Sequence, residues 1–260
     1  MNPHVKLQRN VISPASAVLV LLSLFTCGSF GQTSVAATAL PPLYSPGPIT
    51  DYNAALPNLS DVLQFRRGER YNIFNSSLPE LGEDSDVGIW DLPPTHFRKD
   101  AMPFDASDAV VIGRITAGQS HLSNDRRGLY SEFKLSLQEL VKNSVPPYLR
   151  VDDSIDIQRK GGAIRLPSGK VLTRAVVADS MPQIGGRYLL FLKYDPSTED
   201  YSVLMGYQLV GNDVYRLDDL NFEDSNFPQV VHLLRREGMS EGEFLAHAKS
   251  TFVSQKVKAT

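Results

Sequence analysis

Hydrophobic and polar positions alternate most clearly in the middle of the chain, and this alternation predicts β-strands. From Phe133 to Gln138, phenylalanine and leucine occupy every second position, with polar residues between them. Residues 155–158 (Ile-Asp-Ile-Gln) alternate in the same way. Because successive side chains of a strand point to opposite faces, each segment is expected to place its apolar residues against a core and its polar residues in solvent.

Other segments between residues 109 and 217 are apolar for longer stretches and are separated by turn residues. Ala109–Ile115 is typical of a strand buried on both sides, and Arg187–Tyr194 is the most apolar segment, so we expect it to be central. No helical pattern intervenes between the strands, which excludes a parallel β/α arrangement. The sequence therefore predicts a mainly β fold, either a small antiparallel barrel or a sandwich. The remaining predicted strands are Ala163–Leu166, Val171–Arg174, Tyr201–Val210 and Val214–Leu217, with Pro167-Ser168-Gly169 as the tip of a hairpin.

A short helix is predicted just before this region. Ser60 is expected to cap it, the helix runs from Asp61 to Arg67, and Gly68 ends it. The arginine doublet Arg66-Arg67 is interpreted as a solvated face or as a contact to the acidic segment 80–86.

The C-terminal region changes to helical spacing and predicts two short helices packed on the barrel. Residues 228–236 form the first, with Gly238 after its end. Ser240 and Glu243 fit a capping box that opens the second. Phe244, Ala248 and Phe252 share one face of that helix.

These patterns divide the chain into five parts. The divisions are a signal peptide at 1–37, a proline-rich linker at 38–57, an irregular segment at 58–108 that packs on the barrel, the barrel domain at 109–219, and a helical segment at 220–260.

The N-terminus has the order of an export signal. Lys6 and Arg9 precede an apolar run, Ala15–Phe25, that is short for a membrane span. The protein is therefore expected to be secreted or periplasmic, with no membrane span after cleavage. A lipoprotein acylated at Cys27 is the alternative, although Thr26 stands where a small residue is usual. Cleavage is expected after one of three small residues, Gly31, Ala37 or Ala39.

Charge and cysteine content exclude several classes of function. The formal net charge is −3, and loss of Lys6 and Arg9 with the leader makes the remainder more acidic, which argues against nucleic-acid binding. Cys27 is the one cysteine, so the mature chain has no disulfide, thiolate metal site or cysteine nucleophile. No metal site and no cofactor is predicted, because the histidines of the mature chain show no ligand spacing; they are His96, His121, His232 and His247.

One segment between the first two strands concentrates polar chemistry. Gly118–Leu122 is a poor match to a nucleophile elbow, since its final glycine is missing, so no catalytic residue is assigned. We expect a solvated loop here, at the mouth of the barrel, where ligands of such folds often bind. The predicted binding residues are His121, Asp125, Arg126 and Arg127.

Several motifs between residues 107 and 192 resemble a recurring group of proteins. The motifs are Ser107–Arg114, Tyr130–Phe133, Gly161-Gly162, Pro167–Gly169 and Gly186–Leu192. They resemble those of exported bacterial β-barrel proteins without an assigned activity, and the order of the strands is similar to the OB-fold barrel of the netrin and tissue-metalloproteinase-inhibitor modules. Those modules use cysteines, including one at the N-terminus, that this mature chain does not have, so their inhibitory mechanism does not carry over.

Two functions follow as hypotheses. The first is a non-enzymatic extracytoplasmic domain that binds an envelope or extracellular protein, or another envelope component. The second is a secreted hydrolase whose acid and base groups lie at the mouth of the barrel. The sequence identifies neither the ligand nor the oligomeric state.

Overall fold

The computed structural model describes residues 47–73, 80–83, 88–91, 102–176, 180–218 and 236–259. The fold is mainly β with a large, mostly antiparallel sheet and few helices, as predicted. The predicted signal peptide, Cys27, His96, His232 and residues 228–235 of the predicted first C-terminal helix lie outside the described residues. The elements are β1 (Ile49–Asp51), α1 (Tyr52–Ala55), α2 (Val62–Arg70), β2 (Gly88–Asp91), β3 (Ala109–Leu122), β4 (Leu129–Asn143), β5 (Ser154–Lys160), β6 (Gly162–Arg165), β7 (Val171–Val176), β8 (Arg187–Asp195), β9 (Asp200–Val210), β10 (Asp213–Arg216), β11 (Arg236–Ser240) and α3 (Glu241–Ala259).

Five of the strands pair in a closed ring. Strand β3 pairs with β4 and with β8, β4 pairs with β5, and β8 pairs with β9, all antiparallel. The ring closes through β5 and β9, which run parallel at Ile157–Tyr201 and Gln158–Ser202. The expected barrel is therefore present, but one of its pairings is parallel. Closure leaves these five strands without a long free edge.

The interior of the ring is filled by side chains from alternating positions. The apolar side chains of β4 are at most 1% exposed; they are Phe133, Leu135 and Leu137. Lys134 and Gln138, which point to the other face of the strand, are exposed. Leu190 of β8, completely buried, packs in the same cluster. The predicted period of two is confirmed for β4, and burial of these residues is the main favourable term for the barrel.

In β5 the expectation of an outward, solvated polar face is wrong at Gln158. This side chain is completely buried, because α2 covers this part of the barrel surface. Arg70 donates to its amide oxygen at 3.2 Å, and its amide nitrogen donates to Glu132 at 3.1 Å. Burial of an amide is tolerated because both ends have a hydrogen-bond partner.

The C-terminal helix covers a different side of the sheet. Its capping box is confirmed: the amide of Glu243 donates to the Ser240 hydroxyl at 3.3 Å, and the Ser240 amide donates to the Glu243 carboxylate at 3.0 Å. Phe244 and Ala248 are buried in a second apolar cluster with Tyr207. Residues 236–240, in contrast, do not end a helix as predicted but form strand β11, which pairs with β10.

A second sheet has the order β1-β6-β7-β2. The predicted hairpin is confirmed in β6 and β7, with Leu172 buried at its centre. The predicted linker is wrong at its C-terminal end, because residues 49–55 form β1 and α1, and β1 pairs with β6. Leu122 and Ile164 belong to the small apolar cluster that this sheet shares with the end of the barrel.

Helix α2 differs from the prediction at both ends. Asp61, not Ser60, is the N-cap, and its carboxylate accepts from the amides of Leu63 and Gln64. Gly68 does not end the helix but lies buried within it, and a Cβ at this position would lie 2.3 Å from the side-chain oxygen of Asn124. Glycine therefore permits the close approach of α2 to the turn after β3. No helix in the described part of the chain is long and apolar enough to cross a bilayer.

Candidate functional site: a groove beneath helix α2

A groove of about 640 Å³ lies between the α1–α2 segment and the outer surface of β3, β4 and β5. Its volume is in the range typical of small-molecule sites. Apolar residues of both walls, among them Leu56, Leu63 and Ala117, line the groove together with polar ones. The polar and charged residues that line it are Asn58, Asp61, Gln64, Arg67, Gln119, His121, Glu132, Lys134 and Asp156.

Arg67 of α2 is the centre of the charged network at the base of the groove. Its guanidinium lies 3.4 Å from Glu132, 3.7 Å from Asp156 and 3.0 Å from Asp200. Asp200 is completely buried, and a buried carboxylate requires a charged partner. The side chain of Arg67 is only 12% exposed, so the interpretation of Arg66-Arg67 as a solvated doublet is wrong for this residue. Among the described residues, its ionic partners lie on the barrel. Arg66 is exposed.

Arg70, one turn further along α2, extends this network. It lies 2.6 Å from Asp195 and 3.2 Å from Asp200, and it also bonds Gln158. The hydroxyl of Thr198 donates to Asp200 at 2.9 Å. Arg67 and Arg70 thus fix α2 to strand β9 and to the β8–β9 turn, which sets the width of the groove.

Glu132 has an unusual pKa for a carboxyl group. Burial raises its pKa to about 7, and the neighbouring Asp156 and Asp200 carboxylates add to the effect, while Arg67 opposes it. The Glu132 side chain is 19% exposed and lies in the groove. It is therefore a group that exchanges a proton near neutral pH.

His121 lies in strand β3 and not in the predicted solvated loop. It is 6% exposed, and its ring stacks on Tyr130 with 5.3 Å between the centroids. Its Nδ1 is 3.2 Å from the amide nitrogen of Gln64, and its Nε2 is 3.8 Å from Glu132. Burial, followed by the charge of Arg67, lowers its pKa to about 4, so the ring is neutral at pH 7.

The other three predicted binding residues do not line the groove. Asp125 stabilises the β3–β4 turn, because its carboxylate accepts from the Ser123 hydroxyl at 2.5 Å and from the amides of Ile73 and Arg127. The Arg126 side chain is 48% exposed and lies 3.8 Å from Glu80. The Arg127 carbonyl accepts from Arg174. The structure therefore separates His121 from this turn.

Glu132, Asp156 and Lys134 are groove residues that were not predicted from the sequence. All three occupy outward positions on strands that the alternation did predict, so their common face could have been found. The proximity of Glu132 and Asp156 to Arg67 could not, because these residues are far apart in the sequence and approach each other only in the folded chain. No cluster of three or more residues suited to a metal ion is found in the described ranges.

Comparisons with known proteins add no information about this groove or its ligand. No protein-family model matches the chain, and no curated protein shows significant similarity to it.

Proposed function

We propose that the protein is an extracytoplasmic, non-enzymatic binding domain whose ligand occupies the groove beneath α2. The observation that carries this proposal is the groove itself, which combines apolar and polar walls in a volume of about 640 Å³. The envelope location rests on the export signal in the sequence. Mass spectrometry of the exported chain tests it, with an N-terminus between residues 32 and 40 expected; retention of Met1 in a membrane fraction would contradict it.

The arrangement of the charges supports binding over catalysis. Lys134 lies 2.5 Å from Asp156, and Arg67 pairs with Glu132 and Asp156, so the charged groups are held in place by one another. A preformed set of fixed polar groups favours recognition.

The barrel is also proposed to be of the OB type. Its second and third strands are β4 and β5, and the groove lies against them. In OB folds this face and the adjoining loops bind ligands. Helix α2 contacts the turn between the fourth and fifth barrel strands through Arg66 and Arg67, at Ser197 and Thr198. This position of the groove supports both the assignment of the fold type and the choice of site.

Capture of a component from the cell envelope tests the proposal. The mature protein is immobilised in parallel with Ala117→Trp, which fills the groove from an exposed lining position. Ile184→Trp is the matched control, since Ile184 is exposed and lies outside the groove. We expect the wild-type protein and the Ile184 variant to retain a component that the Ala117 variant loses. Equal capture by all three proteins would refute the groove as the site.

A hydrolase is the second candidate, and Glu132 favours it. A carboxyl group with a pKa near 7, converging with His121 and Asp156 on one groove, is suited to general acid or base catalysis. If this candidate is correct, the captured component is consumed on incubation, and Glu132→Gln prevents its consumption without preventing capture. Turnover that persists in this variant would exclude Glu132 as the acid or base.

A further inference from the structure

The ring of His121 has a defined protonation state. The Gln64 side-chain nitrogen is a hydrogen-bond donor only, so Nδ1 of His121, 3.2 Å away, is the acceptor. In a neutral imidazole the other nitrogen then carries the hydrogen. Because its pKa is lowered to about 4, the ring is neutral at physiological pH and presents an Nε2–H group. Gln64 is a positioning residue for this donor.

This N–H group has no hydrogen-bond acceptor among the described residues. Glu132 Oε2 lies 3.8 Å from Nε2, which is too far for a direct hydrogen bond. The His121 side chain is 7% exposed and lines the groove, so a ligand in the groove can reach its ring. A ligand atom that accepts from this N–H group would satisfy a donor that no described protein group satisfies.

A hydroxyl group in the groove beside His121 and Glu132 can bond to both of them. A hydroxyl oxygen accepts from one neighbour while its hydrogen is donated to another. It can therefore accept from His121 Nε2–H and donate to the Glu132 carboxylate, which already accepts from Gln158 through its other oxygen. An ammonium group cannot accept from the histidine, and a carboxylate can bond both residues only when Glu132 is protonated, whereas a hydroxyl group can bond both in either state of Glu132.

The charges of the lining also favour an uncharged ligand. The groove is lined by three acidic residues, Asp61, Glu132 and Asp156, and by two basic residues, Arg67 and Lys134. Glu132 is only partly ionised near pH 7, so the acidic and basic charges nearly balance. The two basic groups are paired with lining carboxylates, and the Asp61 carboxylate caps α2. The lining thus has little excess charge with which an ionic ligand could pair, while it remains rich in donors and acceptors.

We propose that the groove binds an uncharged saccharide, with one sugar hydroxyl bridging His121 and Glu132. This inference rests on the proposed binding function and specifies its ligand class. The apolar residues Leu56 and Leu63 would contact the carbon faces of the sugar, and the amide, carboxylate and lysine side chains would contact its hydroxyls.

The test uses the folded mature protein and defined probes, followed by NMR of the ring nitrogens of His121. Maltotriose, cellotriose and tri-N-acetylchitotriose are the saccharide probes, and diaminopentane and glutarate are the cationic and anionic controls. We expect at least one saccharide to bind and to shift the Nε2 signal of His121. Ala117→Trp should weaken that binding by at least about tenfold, because the indole ring occupies part of the groove. Ile184→Trp should leave the binding unchanged, because Ile184 lies outside the groove.

A second measurement separates failure of this inference from failure of the proposed function. The component captured from the envelope is hydrolysed and analysed for monosaccharides. If capture depends on the groove but the component contains no carbohydrate, or if only diaminopentane or glutarate binds, the ligand class is wrong and the binding function stands. If capture does not respond to Ala117→Trp, the proposed function fails as well. Groove-dependent capture of a carbohydrate supports both.

Discussion

Replacement of Arg67 by methionine tests whether α2 is held on the barrel by the buried charge network. Arg67 contacts three carboxylates. One of them, that of Asp200, is completely buried and lies 3.0 Å from the Nε atom of Arg67. Methionine keeps an unbranched side chain but removes the charge. Asp200 would then retain Arg70 as its ionic partner, and Glu132 and Asp156 would lose the guanidinium that both contact.

The expected cost follows from the geometry. Removing one partner of a buried ion pair destabilises a protein by about 3–5 kcal/mol, because the other charge stays buried without compensation. Since Arg70 remains beside Asp200, we expect the lower end, about 3 kcal/mol. For a domain of this size such a loss lowers Tm by about 6–12 °C.

Urea and thermal unfolding of the mature protein measure this cost. Arg66→Met is the matched control, because it makes the same change on the same helix at an exposed side chain that donates to Ser197; it should cost at most about 0.5 kcal/mol. The cost of Asp200→Asn should be smaller in the Arg67→Met background than alone, as expected for groups that interact directly. Equal destabilisation by Arg67→Met and Arg66→Met would refute the assignment of Arg67 as the residue that fixes α2.

Two further predictions concern the groove carboxyl and the C-terminal helix. The pKa of Glu132 is raised from 4.5 to about 7, so the folded state binds its proton more tightly than the unfolded state, and this residue destabilises the fold as pH rises between these values. Glu132→Gln should therefore gain stability relative to wild type from pH 4.5 to 7, by about 3 kcal/mol at pH 7. Urea midpoints with no pH-dependent difference between the two proteins would contradict the raised pKa. Phe244→Ala should cost about 3–5 kcal/mol of stability, because Phe244 is 2% exposed and its ring centroid lies 4.7 Å from that of Tyr207. Calorimetry measures this cost, with Phe65→Ala as the control because Phe65 is exposed. A comparable loss of stability in both variants would contradict the packing of α3.

The local pattern of the chain was sufficient to predict the strands of the barrel. Phe133, Leu135 and Leu137 are inside because their period of two leaves no other face for them, and this information lies within a few neighbouring residues. The C-terminal capping box is local in the same sense, because Ser240 and Glu243 bond each other. Such features depend on short stretches of sequence, and the structure confirms them.

The site could not be predicted in the same way, because it depends on contacts between distant residues. Gln158 has a polar side chain at an outward position, and only the presence of α2 above it makes it buried. His121 was expected in a loop because glycine, serine and asparagine surround it, yet pairing with Tyr130 continues strand β3 through it. Arg67 has the same sequence context as Arg66, but it faces the barrel while Arg66 remains exposed.

The central claim is that the groove beneath α2, and not the turn between β3 and β4, is where the ligand binds. Backbone-amide NMR of the mature protein, recorded with and without the captured envelope component, tests this claim most directly. We predict that the perturbed amides concentrate at Gln64, Ala117 and Lys134, which line the groove. Perturbations confined to the Asp125–Arg127 turn, or to α3 around Phe244, would contradict it.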